Sequence, residues 1–175
     1  VYRGERAQRG RFREFYQADI DVIGDGKLDI ANEAEVPAII YKTFTTLGLK
    51  RFKIRVNNRK VLGGLFAALG LQEHAGDVMR TIDKLEKIGS EKVKAILTDD
   101  FAVPAATADR LLELLSTPDP MAALEGFRGQ NELLDQGIGE LSTVVGYLSA
   151  FGVPEDHFAV DLTIARGLDY YTVLF

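Results

Sequence analysis

The 175-residue chain has no cysteine, which removes a disulfide framework and every thiolate metal site, a structural zinc centre included. The absence also accords with a cytoplasmic location. Only two histidines are present, His74 at a helix start and His157 in a loop, and neither has a nucleophile or a metal-ligating partner beside it, so both read as surface or capping residues. No apolar run approaches the roughly 18 residues of a membrane span, and the N-terminus carries no signal-peptide pattern, so neither spanning nor secretion is indicated. No GxGxxG, HExxH or GxSxG occurs. Lys27 follows Gly26, but Asp21 stands where a phosphate-binding loop needs its first glycine and Leu28 where it needs Ser or Thr. A net charge of −5 excludes a broadly basic nucleic-acid binder, leaving RNA contact to a local patch. No initiator methionine opens the chain and Val1 falls inside a predicted strand, so the expectation is a piece of a longer protein.

What is present is ordinary globular material, 46% hydrophobic and 27% charged, expected to form one compact unit burying about 70% of its unfolded surface. The first stretch is the unusual one. Five arginines lie between Arg3 and Arg13. Beyond them Phe12, Tyr16, Ala18, Ile20 and Val22 share one parity and Arg11, Arg13, Gln17, Asp19 and Asp21 the other, the pattern of a strand with one polar face. Arg6-Ala7-Gln8-Arg9-Gly10 has the composition of a hairpin loop, which puts Arg3 and Glu5 on the incoming strand. Guanidinium forks match phosphate oxygens, whereas Gln17 with Asp21 suits an ammonium group. An amino acid meeting a nucleoside triphosphate fits both; a solvated strand whose charges keep a sheet soluble is the alternative.

Further along, Gly24-Asp25-Gly26 marks a turn, and a helix is expected from Asp29 to about Leu47, stopped by Gly48, with Ile40, Phe44 and Leu47 packing on the sheet. Residues 51–56 alternate as a strand with Phe52, Ile54 and Val56 inward. Asn57 then caps a helix carrying Val61, Leu62, Leu65, Phe66 and Leu69 before Gly70. Residues 74–150 hold helical stripes and no convincing strand: Val78, Ile82, Leu85 and Ile88; then Val93, Ile96 and Leu97, capped by Ser90; then Leu111, Leu112, Leu114 and Leu115 after Pro104. Pro118-Asp119-Pro120 breaks the series, and residues 129–150 present Leu133, Leu134, Ile138, Leu141, Val144, Val145 and Leu148. Residues 158–162 and those from Tyr170 onward return to strand chemistry. There is no internal repeat.

The run Arg3-Gly4-Glu5-Arg6 through Gly10-Arg11-Phe12-Arg13-Glu14-Phe15-Tyr16-Gln17 resembles motif 2 of class II aminoacyl-tRNA synthetases in its histidine-specific form, with Ala7 where proline is usual. Ala165-Arg166-Gly167-Leu168-Asp169-Tyr170-Tyr171-Thr172 resembles the histidine-binding segment of the histidyl-tRNA synthetase family. Val56-Asn57-Asn58-Arg59-Lys60-Val61-Leu62 also matches, so the resemblance covers essentially the whole chain. It implies an α+β fold, an antiparallel sheet with flanking helices, in which residues 1–70 and 151–175 form a partial catalytic core and residues 71–150 a helical insertion near the tRNA acceptor stem.

The resemblance further implies that Arg3 contacts the α-phosphate of ATP, Glu5 the adenine region and Arg11 the γ-phosphate. Gln17 and Asp21 would hold the α-amino group of histidine, Tyr170 and Tyr171 would line its pocket, and Arg166 would be the catalytic cation, aided by Arg3. The implied partners are histidine, ATP with Mg²⁺ as a substrate complex, and tRNA(His). No side-chain metal ligand and no tightly bound cofactor is assigned. Motif 1, motif 3 and the anticodon-binding domain are not in this sequence, and Val173 follows Thr172 where glycine is usual. The expectation is therefore a fragment, inactive alone, of a homodimeric cytoplasmic ligase. A synthetase-like regulatory subunit of ATP phosphoribosyltransferase is the alternative; a helical interaction module is a third.

Overall fold

The computed structural model describes residues 1–164 together with the backbone of residues 173 and 174. Among them the elements run α1 (Ala31–Thr46), β1 (Ile54–Asn58), α2 (Arg59–Ala68), a 3-10 turn (Gln72–His74), α3 (Ala75–Ile82), α4 (Leu85–Ile88), α5 (Ser90–Asp99), α6 (Ala105–Leu115), α7 (Pro120–Glu125), α8 (Glu132–Ala150), a second 3-10 turn (Glu155–His157), β2 (Phe158–Val160) and β3 (Val173–Leu174).

The sheet has the order β2-β1-β3. Ile54, Arg55 and Val56 pair in parallel with Phe158, Ala159 and Val160, while Asn57 and Asn58 pair antiparallel with Leu174 and Val173. The expected antiparallel sheet is thus mixed among the described residues. Helices α2 to α8 lie between β1 and β2 in the chain, and a connection of that length permits the crossover a parallel pair needs. The strand also starts later than alternation predicted, at Ile54 rather than Arg51, because a ladder extends only where a neighbour offers backbone partners. Its end moves with it. Asn57 stays in the strand, and Asn58 is the residue whose side chain accepts from the Lys60 N–H, at 2.8 Å, and caps α2.

Helices α2 and α8 form the centre of the core. Val61, Leu62, Leu65 and Phe66 bury themselves against Leu134, Ile138, Leu141, Val144 and Leu148, the amphipathic stripes read from the sequence. The two backbones meet at glycines: a Cβ on Gly64 would lie 2.6 Å from the Leu134 Cα, and one on Gly137 2.6 Å from the Val61 nitrogen. Asn131 locks the crossing, accepting from the Leu134 N–H at 2.9 Å and donating to the Gly64 carbonyl at 2.9 Å. Helix α1 packs on α8, not on the sheet as expected. Its inward face is Ala34, Pro37, Ala38, Tyr41 and, as expected, Ile40, whereas Leu47 is 70% exposed. Only Ala34 and Pro37 of this helix are buried, because the neighbouring helix α8 approaches there.

Helices α3 to α7 bury Val78, Ile82, Val93, Leu97, Leu111, Leu112, Leu114, Leu115 and Leu124, largely the expected stripes. Ser90 is the first residue of α5 rather than its cap, since Gly89 occupies that place at φ 82°. Asp119 caps α7, accepting from the Ala122 N–H at 3.0 Å, with Pro120 in the first turn. Helix α8, inside the expected insertion by sequence, lies with α1, α2 and β1.

Candidate active site

Residues 1–15 form the expected hairpin, but an irregular one. At its base the Arg3 N–H donates to the Arg13 carbonyl at 2.8 Å and the Phe15 N–H to the Val1 carbonyl at 3.1 Å. At its tip Gln8 and Arg11 exchange backbone bonds of 3.1 and 2.9 Å around Arg9-Gly10, with Gly10 at φ 77°, the sign a type II turn requires there. Between these rungs residues 4–7 stand opposite Phe12 alone, so the incoming strand bulges. That bulge places Glu5 between two arginines: its carboxylate pairs with the Arg11 guanidinium, and its carbonyl accepts from Arg13 Nε at 3.0 Å. The Arg3 guanidinium lies 5.3 Å from the centre of the Phe15 ring and donates to Gln17 Oε1 at 3.3 Å.

Arg3, Glu5, Gly10, Arg11, Phe12 and Phe15 together line a cleft of about 280 Å³. The three residues expected to hold ATP are therefore gathered on one concave surface. Its chemistry is two guanidinium forks, one carboxylate and aromatic faces, able to take phosphate oxygens on one side and a flat ring on the other. The Arg11 side chain is 59% exposed, and an ion pair that open to water holds by only about 0 to 1 kcal/mol. A phosphate can displace it at little cost.

Gln17 reaches this site through Arg3, while its amide nitrogen donates to Asp19 Oδ1 at 2.7 Å. Asp21 is exposed and has no hydrogen-bond or ion-pair partner among the described residues, so no polar bond joins the two. The strand expected over residues 16–22 has no ladder partner among the described residues, and its apolar members Tyr16, Ile20 and Val22 are exposed. Arg166, Tyr170 and Tyr171 lie outside the described residues. No group of three or more potential metal-ligating side chains converges among the described residues, and no described helix is long and apolar enough to cross a membrane.

A second polar centre escaped sequence reasoning. Asn57 and Asn58 are completely buried, and the Asn58 amide donates to Glu140 Oε2 at 2.9 Å while Lys60 pairs with the other Glu140 oxygen. Burial alone would raise the Glu140 carboxyl; the bonds from Lys60 and Asn58 reverse that and hold it below its ordinary range. Half-buried Glu33 on α1 moves the other way, pushed up by desolvation and by the Glu140 charge. Beside this centre Arg55 bridges Glu86 of α4 at 2.5 Å and Asp161 at 3.0 Å, tying the helical layer to the sheet, and the bond from Glu86 raises the guanidinium further. The consecutive asparagines at a strand end were the available signal.

This fold is one found in aminoacyl-tRNA synthetases. The crystal structure of histidyl-tRNA synthetase from Nostoc sp. PCC 7120 matches it with a TM-score of 0.79 and 33% identity over 84% of this chain and 36% of that one. A Bacillus halodurans structure described as an ATP phosphoribosyltransferase regulatory subunit/histidyl-tRNA synthetase shares the fold at a TM-score of 0.67 and 22% identity, covering 87% of this chain and 39% of that one. The histidyl-tRNA synthetase family profile matches residues 1–175. The histidine–tRNA ligase of Clostridium tetani is 46% identical across 98% of this chain and 40% of its own length, and that of Xanthomonas axonopodis pv. citri is 46% identical across 98% and 38%. The chain belongs to the histidyl-tRNA synthetase family. It spans about 40% of the length of such relatives.

Proposed function

We propose that these residues are the ATP- and histidine-binding part of a longer histidyl-tRNA synthetase, cytoplasmic and homodimeric, whose remaining segments complete a larger antiparallel class II sheet around the hairpin. Residues 71 to about 131 form the inserted helical layer, beside the tRNA acceptor stem, and α8 returns the chain to the catalytic core. The reaction is attack of a histidine carboxylate oxygen on the α-phosphorus of ATP, which breaks the bond to pyrophosphate and leaves histidyl-adenylate; the histidyl group then passes to tRNA(His). Mg²⁺ accompanies the triphosphate as part of the substrate. Arg3 and Arg166 stabilise charge at the α-phosphate, Arg11 takes the γ-phosphate, and Glu5 takes the adenine once Arg11 turns to the phosphate. Gln17 and Asp21 receive the histidine ammonium, and Tyr170 and Tyr171 line its ring pocket. Charge stabilisation and orientation of this kind account for catalysis that needs no covalent enzyme intermediate.

The observation that supports this reading is the cleft that gathers Arg3, Glu5 and Arg11. Its test is histidine-dependent ATP–pyrophosphate exchange by the full-length protein, with aminoacylation of tRNA(His) measured alongside. Both activities are expected. A full-length protein that binds histidine yet performs neither, and instead associates with ATP phosphoribosyltransferase, would be the regulatory subunit.

A further inference from the structure

Asn57 occupies a position whose bonds no helix cap explains. The other buried polar side chains among the described residues serve helices: Asn58 caps α2 and donates to Glu140 of α8 at 2.9 Å, and Thr81 donates to the Asp77 carbonyl of its own helix at 2.8 Å. The Asn57 carboxamide instead donates from Nδ2 to the Ile164 carbonyl at 2.9 Å, far away in sequence, while its Oδ1 accepts from the Asn58 N–H at 2.8 Å. Both ends of the amide are engaged, so its orientation is set. The same residue pairs through its backbone with Leu174. One strand position thus ties to Ile164 on one side of residues 165–172 and to Leu174 on the other.

The entry to that segment is pinned as well. The Asp161 N–H donates to the Val56 carbonyl at 2.9 Å. Asp161 Oδ1 accepts from the Thr163 N–H at 2.9 Å and the Thr163 hydroxyl at 2.6 Å, and Oδ2 accepts from Arg55 at 3.0 Å. Ile164 ends this turn two residues ahead of Arg166.

We propose that Asn57 is a positioning residue for histidine activation. It touches no substrate; it fixes where the chain carrying Arg166, Tyr170 and Tyr171 begins and ends. The inference rests on the reading in which Arg166 is the catalytic cation. A displacement of about 1 Å in a catalytic group costs on the order of a hundredfold in rate, so a hold on the neighbouring backbone is a hold on turnover.

The test is Asn57→Asp in the full-length protein, which keeps the volume but turns an acceptor toward the Ile164 carbonyl, with Asn57→Ala as a second variant that removes the tie without adding charge. Per active site, adenylate formation is expected to fall roughly tenfold to a hundredfold and the histidine KM to rise, with the ATP KM within about twofold of wild type. Hydrogen exchange should quicken in peptides covering residues 161–174 and stay unchanged in those covering α8. A purely structural asparagine would lower the melting temperature and leave the constants of the folded, titrated sites alone. Wild-type constants in either folded variant, or unaltered exchange over 161–174, overturn the proposal while the enzyme reading stands. Absence of histidine-dependent exchange in the wild-type protein overturns the enzyme reading and this proposal with it.

Discussion

Residues 1–28 and the pair α2 and α8 differ in almost every physical respect. No residue of the first region is buried, and Tyr16 is fully exposed. In the second, Leu62, Leu65, Phe66, Ile138 and Leu141 are shut off from solvent, two glycines let the backbones touch, and an asparagine spans the crossing. The hairpin holds its shape with backbone rungs and exchangeable ion pairs, and therefore keeps its arginines available to a ligand. The helix pair holds its shape by burying apolar surface and tolerates little change. In the proposed reading, stability and binding chemistry are carried by different parts of one short chain, and substitutions should separate them.

The largest effect should come from the helix pair. Phe66→Ala removes a side chain that is 1% exposed and should lower stability by about 3 to 5 kcal/mol, read from a thermal melt of the chain; a midpoint within a degree or two of wild type would break the contrast. Next, Arg3→Ala in the full-length protein should reduce adenylate formation on the order of a hundred- to a thousandfold, about 2.7 to 4 kcal/mol of transition-state stabilisation. The melt should hardly move. A stability loss as large as that of Phe66→Ala would mean that the hairpin is structural after all. Gly64→Ala comes third, because the added carbon would meet the Leu134 backbone at 2.6 Å; overpacking of this kind costs about 1 to 3 kcal/mol, and an unchanged denaturation midpoint would show that α2 and α8 can part.

The smallest effect sharpens the comparison by pH. Glu140 has a folded pKa below its ordinary 4.5, so the stability it contributes is present above that value and is lost as pH falls through the folded one. Glu33 has its pKa raised above 4.5, so its ionisation opposes folding as pH rises. Glu33→Gln should accordingly be no less stable than wild type at pH 7, with the difference narrowing toward pH 4, where Glu33 is mostly protonated in both states. Paired melts at the two pH values check this, and a variant destabilised at pH 7 would reverse the assignment of signs.

Spacing alone located the stripes of α2 and α8, because the 3.6-residue period of a buried helix face survives any arrangement of neighbours. Turn chemistry likewise placed the hairpin connection within residues 6–10, of which Arg9-Gly10 is the turn itself, and the break at Pro118-Asp119-Pro120. Helix α1 was legible as a helix but its inward face only in part: Ile40 packs on the core as expected, whereas Leu47 is exposed and Ala34 and Pro37 are buried where α8 approaches.

The order of residues by itself determined the helices of the core and the arginine-rich hairpin, and pointed to the family through the resemblance of two segments, more than a hundred positions apart, to its motifs. Tertiary structure alone decided the parallel pairing of β1 with β2, the bulge that sets Glu5 against Arg11, and the burial of Asn57 against the Ile164 carbonyl. Each depends on which backbone groups find partners far away in sequence, and a side-chain period carries no record of that.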